Sequence, residues 1–109
     1  MAYDEGLAQR VRVVLEGKSG LEEKKMFGGV CFILSGNMAC GILNERLIVR
    51  VGPERYENAL KQPNTGKFDI TGKPMKGWVM VSPEEYNTDD RLSYWIEQGV
   101  AFALTLPAK

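Results

Sequence analysis

The sequence predicts an α+β fold in two layers, an antiparallel sheet of about five strands with helices packed on it. Three observations lead there. Apolar residues recur at helical spacing near both ends of the chain. Short runs of Val, Ile, Leu and Phe, parted by turn residues, fill the middle. No repeat, low-complexity tract or linker divides residues 1–109, so one domain is expected. A chain of this length can bury roughly two-thirds of its unfolded surface, and needs no disulfide or metal to do so.

Tyr3, Leu7, Val11, Val14 and Leu15 fall on one stripe of a first helix. Asp4 and Glu5 suit the positive end of its dipole, and the loop from Gly17 to Gly20 ends it. The period then changes. Lys24–Phe27, Val30–Leu34, Met38–Leu43 and Arg46–Val51 are separated by Gly28-Gly29, Ser35-Gly36-Asn37 and Asn44-Glu45, which is the pattern of an antiparallel meander. Val30, Phe32 and Leu34 point one way, Cys31 and Ile33 the other. A sheet with one wet face alternates more cleanly. Both faces are therefore expected to be at least partly covered, one by helices and the other by loops or a second subunit.

Gly52-Pro53 opens a short helix over Pro53–Lys61, with proline at the first helical position. Gln62–Gly77 reads mostly as loop, with a short strand at Phe68–Ile70. Trp78–Val81 is a further strand. After a turn at Ser82–Asn87 comes the longest helix, Thr88–Leu104, with Thr88 as N-cap and a stripe of Leu92, Trp95, Ile96, Val100 and Ala103.

The composition excludes several chemistries. There is no histidine, hence no imidazole base, no Ser-His or Cys-His pair and no His-ligated metal. The longest purely apolar run, Val30–Leu34, is far short of a membrane span. The start of the chain does not read as an export signal, so a cytoplasmic location is expected. Fourteen basic residues balance fourteen acidic ones. A zero net charge argues against a strong sequence-independent grip on nucleic acid.

That zero is unevenly assembled. Residues 1–45 hold five basic against six acidic side chains, a net −1. Residues 46–76 hold seven against three, +4, and residues 77–109 two against five, −3. The middle segment is either a basic surface for an acidic partner or phosphate backbone, or a solvated face balanced by the last helix. Within it Arg50 interrupts the apolar strand Leu47–Val51, and an arginine on a sheet face usually has a partner for its donors.

Gly72-Lys73-Pro74-Met75-Lys76-Gly77-Trp78 places two lysines, a methionine and a tryptophan in one Gly/Pro-bounded loop. Loops of this make-up on a rigid scaffold often bind something, though Met75 and Trp78 could equally close a core edge. Arg50, Lys73, Met75, Lys76 and Trp78 are the candidate interaction residues. Tyr94 falls opposite the stripe of the last helix, where exposure is expected.

No catalytic, cofactor or metal site is expected. Cys31 and Cys40 lie on two strands of one hairpin. A two-residue Gly36-Asn37 turn pairs Cys31 with Ile42 and Cys40 with Ile33, diagonally on one face, a three-residue turn places them on opposite faces, and neither register favours a disulfide. Both are expected to be buried thiols. Gly28-Gly29 precedes a strand rather than a helix, which suits a tight turn and not a phosphate loop. Glu84-Glu85 and Asp89-Asp90 stand where helix starts favour negative charge, and nothing pairs them as acid and base across a pocket.

Taken together, Met26-Phe27-Gly28-Gly29-Val30, Gly36-Asn37-Met38-Ala39-Cys40-Gly41, Leu47–Gly52, Tyr56 and Phe68–Val81 resemble the N-terminal domain of the TfoX/Sxy family. The resemblance runs from the first helix to Phe102-Ala103-Leu104. It implies helices on an antiparallel sheet, laid out like secretion chaperones. It also implies a link to bacterial regulators of natural competence, which act with the cyclic-AMP receptor protein. Those regulators carry a further helical domain that has no counterpart in these residues, so no DNA contact is carried over. The family supplies no catalytic residue to map.

The reading that follows is a non-catalytic regulatory or protein-interaction domain, a homodimer with a transcription-regulatory protein as a further partner and no membrane contact. Its alternatives are direct nucleic-acid binding through residues 46–76 and a small-molecule site near Arg50 and the Lys73–Trp78 loop.

Overall fold

The computed structural model describes residues 3–26, 28–68 and 76–107. Among the described residues three helices and six strands follow one another in the order α1 (Glu5–Leu15), β1 (Leu21–Met26), β2 (Gly29–Leu34), β3 (Asn37–Leu43), β4 (Arg46–Arg50), α2 (Pro53–Leu60), β5 (Thr65–Lys67), β6 (Trp78–Val81) and α3 (Asp89–Leu104). Every strand pair is antiparallel and the sheet order is β1-β2-β3-β4-β6-β5. The fold is α+β as expected, with six strands where about five were expected.

The helix starts follow local chemistry. The Asp4 carboxylate accepts from the Leu7 amide at 3.1 Å, and the Thr88 hydroxyl from the Arg91 amide at 3.2 Å. Pro53 stands at the start of α2. The β2–β3 hairpin closes on Ser35-Gly36, with φ of +49° and +85°, the left-handed pair that a tight two-residue turn requires.

Two strands are displaced from expectation by more than one residue. β1 begins at Leu21, earlier than Lys24, because an edge strand with Glu22, Glu23, Lys24 and Lys25 carries no apolar alternation to mark it. The short strand expected at Phe68–Ile70 forms at Thr65–Lys67 instead. Phe68 follows it, while Asp69 and Ile70 lie outside the described residues.

The helices share one core with one face of the sheet. Leu7, Ala8, Val11 and Leu15 of α1, Tyr56 and Ala59 of α2, and Leu92, Trp95, Ile96, Val100 and Ala103 of α3 pack with Val30, Phe32, Leu34, Cys40, Ile42, Leu47, Val49, Val79 and Val81. The closest approach is at Gly99 of α3, where a Cβ would stand 2.2 Å from the Ala39 carbonyl oxygen. Ala39 is the extra residue of a β-bulge, the register slipping between Phe32/Cys40 and Ile33/Met38.

The bulge decides the cysteines. The hairpin turn falls at Ser35-Gly36 rather than at Gly36-Asn37, and with the extra residue of the bulge Cys31 pairs with Gly41 and Cys40 with Phe32, so the thiols face opposite sides of the sheet. Both are free and buried. Burial pushes the Cys31 thiol up, and Cys40, inside the core, is pushed up to about 12.

The registers place Cys31, Ile33, Met38, Leu43, Ile48, Trp78 and Met80 on the face turned away from the helices. Cys31 and Ile48 are buried and the other five are half-buried. Met38 lies across Gly41, where a Cβ would come within 2.8 Å of its Cε. Among the described residues no helix packs over this face.

Candidate functional site

The last residue of β4 meets three other segments at one end of the sheet. Arg50 pairs across the ladder with Trp78, and its guanidinium carbon lies 5.1 Å from the Trp78 ring centroid. On another side it lies 5.2 Å from the Phe102 ring, carried by α3. Stacking of this kind contributes about 0.5–2 kcal/mol for each ring, depending on exposure. Among the described residues no carboxylate pairs with Arg50.

Two glycines let the segments close. Gly52, with φ +89°, donates its amide to the Gly77 carbonyl at 3.0 Å. A Cβ on Gly52 would stand 2.5 Å from the Phe102 ring. Gly77, with φ +95°, turns the chain into β6 directly after the exposed Lys76. A side chain at either position would be strained by φ alone.

Around this junction run two adjoining clefts. A small one of about 80 Å³ is lined by Arg50, Gly52, Pro53, Lys76, Gly77, Trp78 and Phe102. Its neighbour, of about 320 Å³, shares Gly52, Pro53 and Phe102 with it and adds Val51, Glu54, Arg55, Ala101 and Thr105. α2 begins in this wall without a side-chain cap on its amides.

Of the candidate interaction residues, the structure brings together Arg50, Lys76 and Trp78. Lys73 and Met75 lie outside the described residues. Phe102 was not singled out as a site residue, because it flanks the apolar stripe of α3 and shows its role only when α3 lies beside Gly52. The basic middle segment is split. Arg50, Arg55 and Lys76 gather at one end of β4, whereas Arg46, at the other end, shares a shallow groove with Tyr3, Asp4, Asn44 and Glu45.

A second cluster of arginine and aromatic residues is closed on itself. Arg91 stacks over Tyr94 at 4.4 Å, donates to Gln62 at 2.9 Å and pairs with the Glu85 carboxylate. The Trp95 indole donates to the same Glu85 oxygen at 3.0 Å. Glu85 is thus a buried partner ahead of α3, which corrects its reading as a helix-start charge; the dipole position belongs to Asp89 and Asp90. Tyr94 is exposed as expected, and its hydroxyl accepts from Gln62 Nε2 at 2.8 Å. Nearby, the Tyr86 hydroxyl donates to the Glu45 carbonyl, and its ring lies 5.8 Å from Arg10. Burial, then the charges of Asp4 and Glu45, push the Tyr86 hydroxyl up to about 12.

No helix of the described residues is long and apolar enough to cross a membrane, and no group of three or more acidic or cysteine side chains among them could hold a metal ion. No curated protein matches the chain. The TfoX N-terminal domain family does, over residues 14–103, which takes in every strand, α2 and nearly all of α3. The chain therefore belongs to the TfoX N-terminal domain family.

Proposed function

We propose that this chain is a non-catalytic regulatory domain that works by presenting a protein-binding surface, in the control of competence-type transcription, and that it pairs with a second copy of itself. The observation that carries this reading is the sheet face turned away from the helices. Ile33, Met38, Leu43, Trp78 and Met80 are all half-buried there, around the buried Cys31 and Ile48. A contiguous apolar surface of this kind on a soluble domain marks an interaction site more often than a solvated one. Membership of the family supports the regulatory part.

Light scattering or sedimentation at micromolar concentration tests the pairing. A dimer is expected, converted to monomer by Met38→Glu combined with Met80→Glu, with the helical circular dichroism retained. A wild-type monomer at all concentrations would overturn the pairing. A low-salt gel shift with duplex DNA is expected to show no complex for the chain alone. Salt-sensitive DNA binding, lost on neutralising Arg46, Arg55 and Lys76 together, would replace the reading with direct nucleic-acid recognition.

A further inference from the structure

We infer that the cleft beside Arg50 is a binding site for a small organic anion, a carboxylate or phosphate attached to a compact apolar body. Four observations converge on it. The Arg50 guanidinium is held at a fixed place by two rings, Trp78 and Phe102, rather than by a carboxylate among the described residues. A guanidinium lying over ring faces still has N–H donors to satisfy, and a carboxylate or phosphate binds two of them at once.

Lys76 lines the same small cleft and Arg55 the neighbouring one, so Glu54 is outnumbered three to one by cations across the two walls. The larger cleft offers Val51, Pro53, Ala101 and Phe102 to an apolar body. Its volume of about 320 Å³ lies at the lower end of the range that small ligands occupy, about 300–1,000 Å³.

The contrast with Arg91 sharpens the case. Arg91 also stacks on a ring, but Glu85 and Gln62 take up its donors. Arg10 likewise reaches the Tyr86 carbonyl and Asp89, and Arg12 reaches Glu23 twice, at 2.8 and 2.7 Å. Among the described residues Arg50 has the rings without the acceptors. An acceptor supplied by a ligand completes it. This inference does not rest on self-association, and its tests are run on monomer and dimer alike.

The test is titration of the full chain with benzoate, adenosine monophosphate, succinate and inorganic phosphate, with benzamide as the uncharged counterpart of benzoate. Tryptophan fluorescence and the indole and guanidinium N–H resonances are the readouts. The chain has two tryptophans, and Trp95 is fully buried, so Trp78 reports the cleft.

Saturable binding of benzoate or adenosine monophosphate, tighter than inorganic phosphate and absent for benzamide, is the expected result. Which of the two binds separates a carboxylate site from a phosphate site. Arg50→Met is expected to weaken binding tenfold or more, while Arg46→Met, at the far end of the same strand, leaves it unchanged. Lys76→Met, on an exposed turn, is expected to weaken it by a smaller factor and covers the case in which Arg50→Met fails to fold. Absence of saturable binding for every organic anion up to about 1 mM would overturn the proposal. So would benzamide binding as well as benzoate, or a folded Arg50→Met binding like the wild type.

Discussion

The two faces of the sheet are built from the same kinds of residue and meet different fates. On the helix side Val30, Phe32, Leu34, Ile42, Leu47 and Val49 are almost completely buried beneath α1, α2 and α3. On the other side Ile33, Met38, Leu43, Trp78 and Met80 stop at half-burial, and charged residues (Glu22, Lys24, Arg46, Arg50) frame them. Apolar content alone therefore does not tell a core face from an open one. What separates them is whether a covering element lies close enough to exclude water. Gly99 supplies that closeness on the helix side by letting α3 touch the backbone of β3.

The comparison can be broken most severely at Trp95. Trp95→Ala removes a fully buried ring and leaves Glu85 without the indole donor, and is expected to cost about 3–5 kcal/mol in denaturant unfolding. Met80→Ala on the opposite face should cost under about 1 kcal/mol by the same measurement if that face is uncovered in the monomer. Equal losses would show that the two faces are alike after all.

Next in size is Glu85→Ala, expected to destabilise by about 2–3 kcal/mol, because the buried Trp95 N–H and the Arg91 guanidinium both lose their acceptor. Glu85→Gln keeps an acceptor oxygen and should cost less. A neutral result for the alanine variant would mean that water satisfies both donors.

The buried helix-side face also makes stability depend on pH. Cys40 holds its proton in the folded core up to about 12, whereas in the unfolded chain it releases it near the ordinary value of 9.0. Between those values the folded state binds more protons than the unfolded one. Stability is thus fully present below about pH 9 and falls as pH rises, by about 1.4 kcal/mol per pH unit within the window. Tyr86, also shifted up to about 12, adds to the slope above its ordinary 10.0. Cys40→Ala should flatten the alkaline limb of a urea-stability profile. A slope unchanged in that variant would assign the loss to other groups.

The smallest expected effect is the most informative about function. Met38→Glu alone should change monomer stability by under about 1 kcal/mol, since the side chain lies on the uncovered face, yet shift the dimer equilibrium strongly. Chemical unfolding of dilute protein beside light scattering of concentrated protein separates the two.

How much of this was legible in the sequence depended on range. Thr88 as N-cap, Pro53 at a helix start and turn residues between the hairpin strands all act within a few residues, and each was found where expected, save that the β2–β3 turn falls one residue earlier, at Ser35-Gly36. Arg50 stood out as a charge inside an apolar strand, and Lys76 and Trp78 as neighbours in a Gly-bounded loop. Several other features left no local mark. β1 is a charged edge strand, and β5 is three residues in a stretch that reads as loop. The bulge at Ala39 has no local sequence signal, and the residue that lies against it, Gly99, is sixty positions away. Glu85 looks like any surface carboxylate until Trp95 and Arg91 arrive from the next helix.

The sequence by itself determined the repertoire of elements, the absence of imidazole chemistry and the places where only glycine or a capping side chain fits. These follow from backbone sterics and hydrogen bonds that span three or four residues. Only the tertiary structure decided which sheet face the helices leave open and that Phe102 reaches Arg50 across fifty-two positions. It likewise set Cys31 and Cys40 on opposite sides. Those outcomes depend on strand register and on how closely α3 can approach β3, and register is a property of paired strands that neither strand carries alone.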